Sequence, residues 1–72
     1  MQIPYQYKFD RTSTANVVYM GISASGSLTS EPRWHIIKIE NNSDGETLSI
    51  TNADGTSEPT KIWDNRTSLT YK

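Results

Sequence analysis

Pro32-Arg33-Trp34-His35-Ile36-Ile37-Lys38-Ile39-Glu40 is the stretch that decides how this chain folds. It holds one of the two tryptophans and three of the isoleucines, residues that favour a pleated, half-buried surface. A proline opens it. These features predict the central strand of a small β domain. Trp34 and Ile36 fall on one face of that strand, whereas Ile37 and Ile39 fall on the other. Either both faces are covered, or a bulge shifts the register midway.

Upstream, Ile3, Tyr5, Tyr7 and Phe9 alternate with Gln2, Pro4, Gln6, Lys8 and Asp10, a period of two. Pro4 cannot donate to a ladder, so residues 1–10 are expected to form an edge strand or an N-terminal arm. Asp10 to Thr14 is turn material. Ala15 to Ile22 reads as a second strand, with Val17 and Tyr19 on one side and Val18, Met20 and Ile22 on the other. Cover on both faces is expected there, from this chain or from a neighbour. Ser23 to Pro32 is a loop of small polar residues, the kind of segment that carries function or mobility. Leu28, its one large apolar residue, either tucks under the loop or meets a partner.

Downstream, Asn41 to Glu46 contains Asp44-Gly45 and is the strongest turn signal in the chain. Thr47 to Thr51 follows as a strand, with Leu48 and Ile50 expected to face the core. Asn52 to Gly55 turns again. Thr56 to Lys61 contains Pro59 and reads as irregular, with one helical turn capped by Ser57. Ile62-Trp63 returns to the core, Asp64-Asn65-Arg66 turns, and Ser68 to Tyr71 forms a last short strand. The expectation is a single all-β domain spanning residues 1–72. Its architecture is a small antiparallel sheet, partial barrel or sandwich of about five strands in meander order. The expected core is Val17, Trp34, Ile36, Leu48, Ile50 and Trp63.

Composition limits what such a domain does. At 72 residues only ~60% of the unfolded chain's surface is buried on folding, so the core is thin. Hydrophobic residues make up 33% of the chain, and no cysteine is present to staple it. Association with other chains is the remaining source of stability. Nine serines and nine threonines beside three leucines suit strands and turns rather than helices. The net charge is −1 without a basic stripe, which argues against nucleic acid as a partner. No apolar run approaches the ~20 residues of a membrane helix. The opening MQIPYQYKFD lacks a charged region followed by an apolar one, so no secretory leader is expected and synthesis is placed in the cytoplasm.

Chemistry is sparse. His35 is the single histidine, mid-strand, without the orienting acid that a catalytic base needs, and reads as a residue of the sheet surface. Asp44, Asp54 and Asp64 stand ten apart, two of them before glycine, whereas a calcium loop would place oxygens at alternate positions. They read as turn aspartates. Asn41-Asn42-Ser43 and Asn65-Arg66-Thr67 match the glycosylation sequon by chance in so hydroxyl-rich a chain. In Trp63-Asp64-Asn65-Arg66 the indole anchors the core and Arg66 reaches back to a carboxylate or carbonyl; Arg33 is expected to meet Asp64 or Glu58. No catalytic residue, metal ligand or cofactor is expected. The candidate interface residues are Ile3, Tyr5, Tyr7, Phe9 and Leu28, since tyrosine is enriched in interface cores.

Four segments together resemble a family of very small proteins encoded by tailed bacteriophages and prophages. They are Ala15–Gly21 (ANVVYMG), Arg33–Ile39 (RWHIIKI), Ala53-Asp54-Gly55, and Ile62–Tyr71 (IWDNRTSLTY). They are similar to a "TYVG" strand, a "WRIKRI" strand, an "ADG" turn and a terminal "WDDRASLTY", in the same order over residues 15–71. The chain departs from the pattern at His35, where Arg is usual, at Asn65, where Asp is usual, and in its longer, more aromatic Met1–Asp10. The resemblance implies a non-enzymatic virion structural protein of tail, baseplate, fibre or capsid surface. Its partners would be other virion proteins or further copies of itself. A phage-encoded inhibitor of a host protein is the competing expectation, disfavoured by the near-neutral charge. Glycan binding through Trp and Tyr is a third.

Overall fold

The structure, a computed structural model, describes residues 4–72. Five strands form one antiparallel sheet that does not close into a barrel. They are β1 (Tyr5–Asp10), β2 (Val17–Ala24), β3 (Pro32–Asn41), β4 (Thr47–Asn52) and β5 (Lys61–Ile62), followed by a 3₁₀ helix over Trp63–Ser68. β1 to β4 run as a meander, and β5 returns to pair with β3. β3 is therefore central: β2 holds one edge, while β4 and β5 share the other, pairing with its C-terminal and N-terminal ends respectively.

Each connection follows from its residues. β1 stops at Asp10, whose Oδ1 accepts the Thr12 and Ser13 N–H groups at 3.0 and 3.1 Å, an Asx-type turn. Asn42 does the same after β3, accepting from Asp44 and Glu46 at 3.0 and 2.9 Å. Beyond β4, Asp54 and Gly55 both adopt positive φ, 53° and 71°, while Thr56 N–H closes on Ala53 O at 3.2 Å. That is a mirror-image turn, where Asp-Gly costs little. The C-terminus then docks on this turn: Asp54 N–H donates to Thr70 O at 2.7 Å, and Asn52 and Lys72 exchange backbone bonds at 3.0 and 3.2 Å.

The register sorts the side chains. Gly21 lies opposite Ile36, and Tyr19 opposite Lys38, so Val17, Tyr19, Gly21, Ser23, Trp34 and Ile36 share one face. Trp63, Ala53, Leu69 and Tyr71 cover that face and complete the core with Tyr19, Trp34 and Ile36. Trp34 and Ile36 are fully buried. The two indoles meet at a centroid distance of 5.8 Å and a tilt of 39°, and Trp34 Nε1–H donates to Leu28 O at 3.0 Å. Gly21 lies beneath both rings. A Cβ at that position would stand 2.5 Å from Trp63 Cε3 and 2.9 Å from Trp34 Cε3, so only glycine admits the pair.

Several expectations are corrected. Leu48 and Ile50 are 68% and 63% exposed, not core. Ile50 lies opposite Ile39, on the face away from the tryptophans, so the apolar phase of β4 points outward. Of the two faces of β2 and β3 expected to be covered, the described residues cover one. The alternation of β3 runs unbroken through its middle, with irregularities only at Pro32/Trp34 and Glu40/Asn41. Leu28 is exposed rather than tucked under its loop, because its backbone carbonyl, not its side chain, serves the core. Arg33 pairs with Glu31 at 3.3 Å instead of Asp64 or Glu58. Thr56–Thr60 forms bends without a helical turn; Thr56, not Ser57, accepts an N–H, that of Glu58 at 3.1 Å. The strand expected over Ser68–Tyr71 is a single bridge, Ala53 to Tyr71. β1 pairs with β2 over all six of its residues and is an edge strand of its own sheet rather than a free arm. Ile3 lies outside the described residues.

Gly21→Ala is expected to cost about 1–3 kcal/mol by forcing the indoles apart, and Trp34→Ala about 3–5 kcal/mol. Either is a large share of the stability of so small a domain. Urea titration followed by tryptophan fluorescence checks both, and parental midpoints would show that the two rings do not hold the fold.

Candidate protein interface

The strand alternation that buries Trp34 and Ile36 places a second set of apolar residues on the opposite face. Tyr5, Tyr7 and Phe9 project from β1, Val18, Met20 and Ile22 from β2, Ile37 and Ile39 from β3, and Ile50 from β4, with Leu48 two residues before it. Among the described residues no helix, strand or loop lies over them. Tyr5, Tyr7 and Phe9 are 54–57% exposed. The residues of β2 and β3 are half-buried only because their neighbours in the sheet crowd them. Small soluble chains rarely leave so large a contiguous apolar area in water, and such areas mark contact surfaces.

The polar side chains on this face are few. His35 Nε2 and Asn52 Oδ1 lie 2.8 Å apart, so the ring N–H donates to the amide oxygen. His35 is thus a satisfied residue of the sheet surface. No charged side chain interrupts the phase between the ends of the sheet. Arg11 sits over the Phe9 ring at 5.5 Å at one end, and Arg33 with Glu31 stands at the other. Near Arg33 a shallow recess of about 390 Å³ opens between Tyr5, Ile22, His35 and Pro59. It continues the apolar face round its corner.

The most elaborate polar cluster lies on the covered side. Asp10 is buried and accepts from Thr12 and Ser13, and its Oδ2 accepts from Arg66 Nε at 2.8 Å. A hydrogen bond from the Ser13 side chain, the Thr12 N–H and the Arg66 guanidinium together hold this carboxyl well below the usual carboxylate range, against the opposing effect of burial. Arg66 also donates to Trp63 O at 3.2 Å and stacks over the Trp63 ring at 4.7 Å. Tyr71 O–H donates to Arg66 O at 2.7 Å, and burial pushes its phenol upward. Every group here is engaged, so the cluster offers no free base or nucleophile. It ties the end of β1 to the C-terminal 3₁₀ helix. On the turn after β4, Lys61 pairs with Asp54 at 2.7 Å and holds that carboxyl down. Among the described residues, no group of three or more His, Cys, Asp or Glu is placed to hold a metal ion.

The sequence-based site residues sort as follows. Tyr5, Tyr7 and Phe9 come together on the open face; Leu28 is exposed but belongs to the loop after β2. Trp34, Ile36 and Trp63 are buried together, and Val17 packs against them partly covered. Leu48 and Ile50 belong with the tyrosines instead. Val18, Met20, Ile22, Ile37 and Ile39 were missed as surface residues. Their signal was present, since Leu48 and Ile50 share a phase with them once β4 is aligned through Ile39. Among the described residues no helix is long and apolar enough to cross a membrane.

Asp10→Asn removes the charge from the clamp. The Asp10 carboxyl titrates lower in the folded chain than in the unfolded one, so its stabilisation is complete above the unfolded value, near pH 4. That stabilisation is lost as pH falls through the folded value. The variant is therefore expected to be about 2 kcal/mol less stable at pH 7. The gap should narrow as acid is added below pH ~4. Denaturant titrations at neutral and acid pH check this; a gap that does not change with pH would remove the charge pairing from the account.

Comparison of the chain with protein-family models, with curated proteins and with solved structures gives no match.

Proposed function

We propose that this chain is a non-enzymatic structural subunit that works by packing the open face of its sheet against another protein chain, as a component of a bacteriophage virion. The observation that carries the packing role is the apolar face running from Tyr5, Tyr7 and Phe9 to Ile50, which none of the described residues covers. A face of this kind is unfavourable in water and becomes favourable when buried, at roughly 25 cal/mol per Å². The covered side supplies a rigid support through the paired indoles and the Asp10–Arg66 clamp. The virion assignment rests on the resemblance of four segments of the chain to small tailed-phage proteins. Those segments include Trp34 and Ile36, Ala53-Asp54-Gly55, and the run from Trp63 to Tyr71, all of which serve the covered side. In this reading the partners are virion proteins, with no nucleic acid, membrane or cofactor involved.

Quantitative mass spectrometry of purified particles of the encoding phage or induced prophage tests the assignment. The chain is expected at a fixed number of copies per particle. Tyr7→Asp, which puts a charge on the open face, should remain folded by far-UV circular dichroism and fall at least about tenfold in incorporation. A chain absent from particles but recovered on a host protein would instead establish the inhibitor role.

A further inference from the structure

We propose that the open face is the contact between two copies of this chain, which pack face to face as a two-layer β-sandwich. The proposal rests on the packing role above and names the partner. Its first support is area. Strands of six to ten residues, spaced about 4.8 Å apart, give the four-stranded face a footprint on the order of 500 Å². Two copies together would bury about twice that, in line with the ~1,000 Å² that marks a specific interface.

Charge is the second support. The apolar phase of the face carries no charged side chain between Arg11 at one end and Arg33 at the other. A second copy therefore meets no like charge in the middle of the contact, and the two Arg33 side chains, which fall at the same end, each carry their own Glu31. The polar pair within it, His35 and Asn52, is already hydrogen-bonded at 2.8 Å, a bond that needs no water and survives burial.

Shape fixes the arrangement. One margin of the face is aromatic, Tyr5, Tyr7 and Phe9 of β1; the other is aliphatic, Leu48 and Ile50 of β4; Val18, Met20, Ile22, Ile37 and Ile39 lie between. A two-fold axis lying between the sheets and parallel to the strands sets β1 of one copy over β4 of the other. Long rings then oppose shorter aliphatic groups, and the sheets keep an even separation of about 10 Å. The perpendicular axis would stack ring on ring at one margin and leave a gap at the other, so the parallel axis is the one that packs. The tyrosine hydroxyls stay at the rim, in reach of water.

Sedimentation equilibrium of the full-length chain tests the pairing, with an expected mass of twice 8.1 kDa. Ile50→Lys is expected to weaken the dimer about a hundredfold, because each contact would bury an unpaired charge twice. Ser49→Lys, on the same strand but the opposite face, should leave it within about threefold. The chain has no cysteine, which permits a second test that does not depend on lysine variants folding. Mixed under mild oxidation, Phe9→Cys and Asn52→Cys chains, whose positions stand level across the sheet through Met20 and Ile37, should form the mixed disulfide dimer in preference to either self-linked one. Wild-type protein that stays monomeric at about 100 μM would overturn the pairing, and so would an Ile50→Lys dimer of parental affinity. Self-linked Phe9→Cys in excess would overturn the arrangement. A monomer found in particles refutes self-pairing and leaves the packing role standing; a dimer missing from particles supports self-pairing and removes the virion role.

Discussion

Two indole rings over a glycine hold this molecule together. Trp34 comes from the central strand and Trp63 from the start of the 3₁₀ helix, and both rest on Gly21 of β2. Neither ring could approach the sheet so closely over any residue with a Cβ. The contact draws the C-terminal segment across one face, and the remaining covering groups follow from it. Ala53 and Tyr71 bridge beside it, and Tyr71 packs on Tyr19 at 5.8 Å. Because the covering layer is a short 3₁₀ helix and a few extended residues, it suffices for one face only. Among the described residues no further apolar segment covers the second.

The Asp10–Arg66 pair closes the same structure from its edge. A buried ion pair stabilises a fold only when its remaining hydrogen-bonding sites are met. Here Asp10 takes Thr12 and Ser13 as well as Arg66, and Arg66 takes the Trp63 carbonyl and lies against its ring. The clamp joins residues 56 apart in sequence. It therefore fixes β1 to the rest of the molecule and positions the Tyr5, Tyr7 and Phe9 side chains at the margin of the open face. Polar chemistry on one side of the sheet determines the geometry of an apolar surface on the other.

Much of this was legible in the sequence because strand alternation is a local property. The period of two in residues 5–9, the split of Val17 and Tyr19 from Val18, Met20 and Ile22, and the tryptophan phase of β3 all stand in the structure. Arg66 reaching back to a carboxylate was legible too, from its place after Trp63-Asp64-Asn65. Which carboxylate was not, since nothing local connects Asp10 to a residue so far downstream. The reading of Leu48 and Ile50 as core failed for a related reason. Alternation shows that two residues share a face, but the pairing with β3 decides which face, and the β3–β4 register runs through Ile39 rather than Ile36. The helical turn expected at Ser57 yielded to Pro59 and to the bend that Thr56 supports.

The same error exposes the logic of the whole chain. Leu48 and Ile50 look like core residues because they are apolar and alternate, and core is what an apolar alternating strand is for. Apolar residues are 33% of this sequence, too few to be left facing water without consequence. Yet a large part of them, in four consecutive strands, occupies the phase opposite the tryptophans. A sheet whose strands carry apolar residues in both phases needs cover on both faces, as strands buried in two-sided sheets do. The described residues build one cover, from the C-terminal segment, and none for the other face. In the proposed pairing a second copy supplies that layer, and the half of the pattern that looks misplaced in the monomer is the half that would specify the contact.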